Sequence, residues 1–254
     1  MNPRPLWQLT LSRLRELSRE PGTMFWAFGF PILLSVALGM AFKSNGGAPI
    51  KDGEVRYIDF LVPGLMGMNL MSGSMWAVGW GLVNLRTKKL LKRLLATPLR
   101  RWHLLASLAL ARLALLPLEV ASLLLFARVI FGMPLPGPGA LVLLAAVGVL
   151  GWLSFSCLAV CVASRAQNVE TMTGLINAVM IPMFVLSGVF FPASRFPPVL
   201  HPALSLLPLT ALNDALRGVI VGHAHPPELV RPVVILVAWG AASAMVACRT
   251  FRWS

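Results

Sequence analysis

From Met24 to Phe42, and again from Phe60 to Val83, the chain runs without a charged side chain. A helix rises about 1.5 Å per residue, so crossing roughly 30 Å of hydrocarbon takes about 20 apolar residues. Each stretch therefore reads as a transmembrane helix. Four more follow: Leu104 to Phe131, Ala140 to Ala163, Met172 to Phe191 and Val233 to Cys248, the last beginning near Arg231. The expected fold class is an all-α membrane protein with six transmembrane helices. Composition agrees: 57% of the residues are hydrophobic and only 12% charged, about half the charge fraction of a soluble domain. A chain of 254 residues has room for one polytopic domain and no sizeable soluble one.

The net charge of +13 raises nucleic acid as a partner, but the basic residues sit in short loops and at span ends, where membrane topology accounts for them. If both termini are cytoplasmic, the inner pieces 1–23, 84–103, 164–171 and 249–254 hold 14 Lys and Arg, and the outer pieces 43–59, 132–139 and 192–232 hold 6. This positive-inside bias predicts both termini inside. No cleavable signal peptide is legible, because the first apolar stretch is long enough to span and lacks a clear cleavage site.

Residues 1–23 form their own unit. Residues 5–19 mix Leu6, Trp7, Leu9, Leu11, Leu14 and Leu17 with Arg13, Arg15 and Arg19, which predicts an amphipathic helix in the cytoplasmic interface, or a helical extension of the first span. Glu20-Pro21-Gly22 should end it. Residues 192–232 are apolar but carry Pro192, Pro197, Pro198, Pro202, Pro208, Pro226 and Pro227. Two half-helices near Val199–Leu206 and Ala211–Val221 fit better than a span, with Thr210 capping the second and Gly222 ending it. Such a segment forms an outer re-entrant hairpin or a folded loop lying on the bilayer.

Chemistry-bearing motifs are sparse. No phosphate-binding loop, nucleophile elbow or zinc-protease motif is present. Cys157, Cys161 and Cys248 lie in apolar segments, and His223 and His225 stand in the Pro-rich outer loop, a weak basis for a metal site. The expectation is no catalytic, cofactor or metal residue in this chain. Glu119, near the centre of the third span, falls seven residues after Arg112 and so on a similar helical face. A lone buried carboxylate is costly, so it lines a cavity or gate, or clamps another helix or a second subunit. Asn69 and Asn177 are the uncharged polar candidates for pathway or packing roles. Met66, Met68, Met71 and Met75 suit adaptable contact with hydrophobic cargo, and lipid contact explains them equally.

The densest basic cluster lies between spans two and three. From Arg86 to Arg101 it holds seven of the 22 Lys and Arg residues and no acid. Leu90, Leu91, Leu94 and Leu95 make one apolar helical stripe, with Lys88, Lys89, Lys92 and Arg93 on the other faces. Thr97 then reads as an N-cap, with Pro98 opening the helix of span three. This short helix is either presented to a cytoplasmic protein or held to anionic lipid.

Lys92-Arg93-Leu94-Leu95-Ala96-Thr97-Pro98-Leu99-Arg100-Arg101 resembles the coupling region of type-2 ABC transporter permeases, of the daunorubicin and nodulation-factor exporter kind. The resemblance continues through Glu20-Pro21-Gly22, Tyr57 to Gly64, Ser164 to Thr171 and Leu186 to Pro192. It extends to the final outer hairpin, through Leu207-Pro208-Leu209-Thr210 and Asp214-Ala215-Leu216-Arg217-Gly218. It implies that residues 24–254 are a six-span permease domain of the bacterial inner membrane. Two copies would form the pore over two separate ATPase subunits, which bind the ATP and Mg. Arg86, Lys88, Lys89 and the Leu90–Leu95 helix would dock in the ATPase. Many relatives carry an acid and a glycine where this chain has Arg86-Thr87-Lys88-Lys89, which implies a matching acidic groove on the partner. The short loop between spans one and two places the chain with compact relatives. The cargo implied is amphipathic, drug-like or lipid-like. A lipid-linked saccharide is the alternative, as is a scaffold that recruits a partner without transport.

Overall fold

Every regular element is a helix among the residues that the computed structural model describes, which are 4–44, 56–89, 101–192, 195–221 and 226–250. The first helix, α1 (Arg4–Arg19), ends at Glu20, which is extended at φ −93° and ψ 103°. Pro21 then opens α2 (Pro21–Met24) from a first-turn position, where its missing N–H costs nothing. A π-helical turn (Phe25–Gly29) leads into α3 (Phe30–Ser44). The second apolar stretch is α4 (Tyr57–Ser74), a π-helical turn (Met75–Trp80) and α5 (Gly81–Thr87). Then come α6 (Arg101–Phe131), α7 (Pro138–Ala163) and α8 (Val169–Leu186). A 3-10 turn (Pro198–Leu200), α9 (His201–Ser205), α10 (Pro208–Val221) and α11 (Pro226–Thr250) complete the order.

Among the described residues, four helices are long and apolar enough to cross a membrane: Ala106–Phe131, Pro138–Ala163, Val169–Leu186 and Glu228–Thr250. The pair Pro198–Ser205 and Pro208–Val221, bent by 84°, makes a fifth if counted as one span, and Phe25–Ala41 is a shorter apolar helix. Six spans are thus not reached on length and composition alone. Leu118, Leu125, Val129, Ile181, Val185, Val234 and Val237 are exposed, a surface suited to hydrocarbon.

Three expected boundaries are corrected. The fifth stretch stops at Leu186 rather than Phe191, because Gly188 takes φ +68°, the left-handed geometry that ends helices. The second half-helix begins at Pro208, with the Leu207 carbonyl accepting from the Ala211 N–H at 3.1 Å. Thr210 is therefore inside the helix and is no cap; proline at the first position displaces it. The last helix begins at Pro226 and takes in Pro232, so part of the expected outer segment 192–232 is helical wall. Its first prolines sit where the helix has no N–H bond to lose.

The core is organised around α4, which packs against α3, α6, α7 and α10. Only Asp59, Asn69, Ser72 and Gly73 of its residues are not buried. Met66, Met68, Met71 and Met75 are all buried in this core, which removes them as exposed contacts for cargo within one protomer. α11 packs along α7, with the Cβ position of Gly240 3.4 Å from the Ser154 backbone. α1 packs on α6, with Thr10 buried.

Candidate functional site

Arg112, Asn213 and Arg217 converge on α4, whose Gly73, Gly67 and Gly64 make room for them. Arg112 of α6 is buried, and its guanidinium lies against Gly73, where a Cβ would overlap it. Its Nη1 pairs with Glu119 Oε1, and its Nη2 donates to Glu119 Oε2 at 2.9 Å. The seven-residue spacing brings the pair together along one helix, across the in-helix Pro117. Asn69 of α4 extends the network: its Nδ2 donates to Glu119 Oε2 at 3.2 Å and to the Ala27 carbonyl at 2.9 Å. Ala27 belongs to the π-helical turn before α3. One network thus joins the first three apolar stretches.

Both charged partners are buried within the protomer, their side chains 8% and 6% exposed. A lone charge at this depth would cost several kcal/mol, and a paired and hydrogen-bonded one is tolerated. The arrangement makes Glu119 a clamp among α4, α6 and the turn before α3. Asn177 is not part of it and lies on an exposed face of α8.

A second cluster ties α10 to α4. Arg217 donates through Nε to the Phe60 carbonyl at 3.2 Å and through Nη2 to the Gly188 carbonyl, and its Cζ sits 3.6 Å from the Phe60 ring centroid. Asp214 lies 3.7 Å from Arg217 Nη1 with its side chain 58% exposed. A Cβ at Gly64 would come 2.7 Å from the Val189 carbonyl oxygen and 3.1 Å from Arg217 Nη2. Asn213 donates to the Ser187 carbonyl at 3.1 Å, and its Oδ1 faces Gly67, where a Cβ would overlap it. Pro208 and Thr210 are buried at the start of the same helix. Sequence reasoning missed Asn213, Gly67 and Gly73. Glycines recurring along an apolar, proline-containing helix were the available signal, because they mark close approach.

At one end of the bundle, Arg86 of α5 donates to the Ala166 carbonyl in the turn between α7 and α8. In that turn Ser164 Oγ is 2.9 Å from Thr250 Oγ1 of α11, and Asn168 Oδ1 caps α8 by accepting from the Thr171 N–H at 2.7 Å. α5 stops at Thr87; Lys88 caps it at φ −75° and ψ 4°, and Lys89 takes φ +56°. Lys88 and Lys89 are therefore in a turn, correcting their expected place on a helix. Left-handed backbone cannot continue an α-helix. Leu90, Leu91, Lys92, Arg93, Leu94, Leu95, Thr97 and Pro98 lie outside the described residues, as do Gly222, His223 and His225.

The family model described as ABC-2 type transporter matches residues 4–221. Among curated proteins, the chain is similar to nodulation protein J of Neorhizobium galegae, at 35% identity over 74 residues, 29% of this chain and 28% of that protein. It is also similar to ABC transporter G family member 20 of Dictyostelium discoideum, at 26% identity over 187 residues, 72% of this chain and 25% of that protein. The matches thus span about a quarter of the length of these curated relatives.

Proposed function

The chain belongs to the ABC-2 type transporter family, and from that premise we propose that it is the permease subunit of an ATP-driven exporter. On this reading two copies form the pore in a bacterial inner membrane, with six spans each and both termini cytoplasmic. Separate ATPase subunits bind ATP and Mg, and this chain performs no catalysis. The segment 192–225 forms the outer re-entrant hairpin. The cargo is amphipathic or lipid-like, which fits apolar helix faces whose few core charges are paired within the protomer.

The observation that carries the mechanism is the Arg86 contact. α5 leads into the basic segment, and its Arg86 is fastened to the turn joining α7 and α8. α6 leads out of the same segment, and its Arg112 is seated against Gly73 of α4. A push on residues 88–100 from a closing ATPase would thus reach α4 and α6 together. The Asn69 contact to Ala27 would pass it on to the first apolar helix. In this reading Arg86, Lys88, Lys89 and the stripe Leu90, Leu91, Leu94 and Leu95 receive the push. The buried clamp keeps the helices moving as one body.

The test is ATP hydrolysis by the partner ATPase co-purified with this chain in lipid nanodiscs. Wild type is compared with a variant carrying serine at Leu90, Leu91, Leu94 and Leu95. A stable complex whose activity falls in the variant supports coupling. Absence of any complex, or activity indifferent to the stripe, overturns it in favour of a non-transporting scaffold.

A further inference from the structure

Where α10 crosses α4, three buried side chains carry polar atoms that the protomer itself does not satisfy. Among the described residues, Ser187 Oγ, Thr210 Oγ1 and Asn213 Oδ1 have no hydrogen-bond partner. Ser187 and Asn213 are 0% exposed and Thr210 is 8% exposed. Neither cargo nor a second subunit reaches atoms so deeply enclosed. Thr210, Asn213 and Arg217 follow one another at steps of three and four, and so line one face of α10. That face lies along the segment leaving α8: Asn213 Nδ2 donates to the Ser187 carbonyl at 3.1 Å, and Arg217 donates to the Gly188 carbonyl. From α4, Gly67 meets Asn213 Oδ1 and Leu209 Cδ1, and Gly64 meets Arg217. Gly64, Gly67, Ser187 and Gly188 put no bulky side chain into this junction.

The chemistry of the three atoms selects their ligand. The Ser187 carbonyl can only accept, which fixes the Asn213 amide: Nδ2 faces that carbonyl, and Oδ1 remains an acceptor. The Ser187 and Thr210 hydroxyls each have a proton to donate. The partner they require must both donate and accept. A metal cation has no proton for Asn213 Oδ1, and it would stand beside the Arg217 guanidinium. An anion without a proton cannot donate to Asn213 Oδ1 either. Water does both. It can donate to Asn213 Oδ1 and accept from the two hydroxyls, making about three bonds, the usual number for a buried water.

We infer that this junction is a built site for an ordered water, held by Ser187, Thr210 and Asn213 between α10 and the end of α8. A bridging water is nearly as good as a direct hydrogen bond, so it completes the tie that Asn213 begins at the Ser187 carbonyl. The site rests on packing within one protomer alone, and it stands whether or not the chain couples to an ATPase.

The experiment uses the full chain in lipid nanodiscs without any ATPase. A short X-ray pulse converts bound water to hydroxyl radicals in place, and mass spectrometry reads the side chains they oxidise. Leu209 is the reporter, because it is 0% exposed and lies with Asn213 Oδ1 against Gly67. Leu82 of α5, 1% exposed, is the control. Wild-type Leu209 should be oxidised severalfold more than Leu82, and Ser187→Ala/Thr210→Val should bring it down to the level of Leu82. Equal oxidation of the two leucines in wild type overturns the site, and so does oxidation of Leu209 that persists in the double variant. Stability gives a second readout with an opposite sign for a dry junction. Thr210→Val keeps the shape and removes one hydroxyl. With water bound, it loses a hydrogen bond and should lower the unfolding temperature by roughly 2–4 °C. In a dry junction it removes an unmet donor, so an unchanged or raised temperature overturns the assignment. If neither variant accumulates, the wild-type comparison of Leu209 with Leu82 decides alone.

Discussion

The backbone of Gly73 lies flush against the guanidinium of Arg112, so close that a Cβ at position 73 would overlap Nε, Nη2 and Cζ of that side chain. Gly73→Ala would push Arg112 away from Glu119 or force α4 and α6 apart. Helix propensity favours alanine by only about 1 kcal/mol, whereas breaking a buried pair costs about 3–5 kcal/mol. The expected outcome is a net loss of about 2 kcal/mol or more, read as a lower unfolding temperature in one fixed detergent. An unchanged or raised temperature would mean that the guanidinium has other room.

Glu119→Gln removes the charge that balances Arg112 and leaves a buried cation. It should destabilise the protein by about 3–5 kcal/mol. The paired change Arg112→Met/Glu119→Leu removes both charges and should recover most of that loss, because apolar replacements of a whole buried pair are often neutral. A double variant as unstable as Glu119→Gln would show that the charges do more than balance each other.

Arg217 holds α10 to α4 through its planar group, stacked on Phe60 and forked to the Phe60 and Gly188 carbonyls. Arg217→Lys keeps the charge but loses the stack and the fork, and should cost about 1–3 kcal/mol. Asp214→Asn should cost under about 1 kcal/mol, since that pair is long and exposed. Limited proteolysis between α8 and α10 reads both, and the order of sensitivity is the result that matters.

Lys88 and Lys89 are exposed in the turn that ends α5. On the proposed function, charge reversal at Lys88, Lys89 and Lys92 should weaken capture of the proposed ATPase partner by roughly tenfold, with the loss also reproduced in wild type by high salt. Capture that ignores both charge and salt would argue for docking through the leucine stripe alone.

The amino-acid sequence by itself determined where the helices run and several of their ends. Uncharged apolar runs, the Glu20-Pro21 break and the mixture of leucine and arginine in α1 are local properties, and local sterics and burial act on them directly. It also placed Arg112 and Glu119 on one helical face, since seven residues make nearly two turns. Only the tertiary structure decided which apolar helix is the core and which ones face outward. Lipid is as apolar as a packed leucine, so burial against protein leaves no trace in composition. For that reason the methionines of α4 read equally as cargo contacts or lipid contacts until the packing buried them. Asn69 and Asn177 looked alike, yet only Asn69 meets Glu119. The proline-rich start of α11 is helical because its first prolines, Pro226 and Pro227, fall where no N–H bond is lost. The glycines that seat Arg112, Asn213 and Arg217 acquire their meaning from neighbours far along the chain, a relation that no local pattern carries.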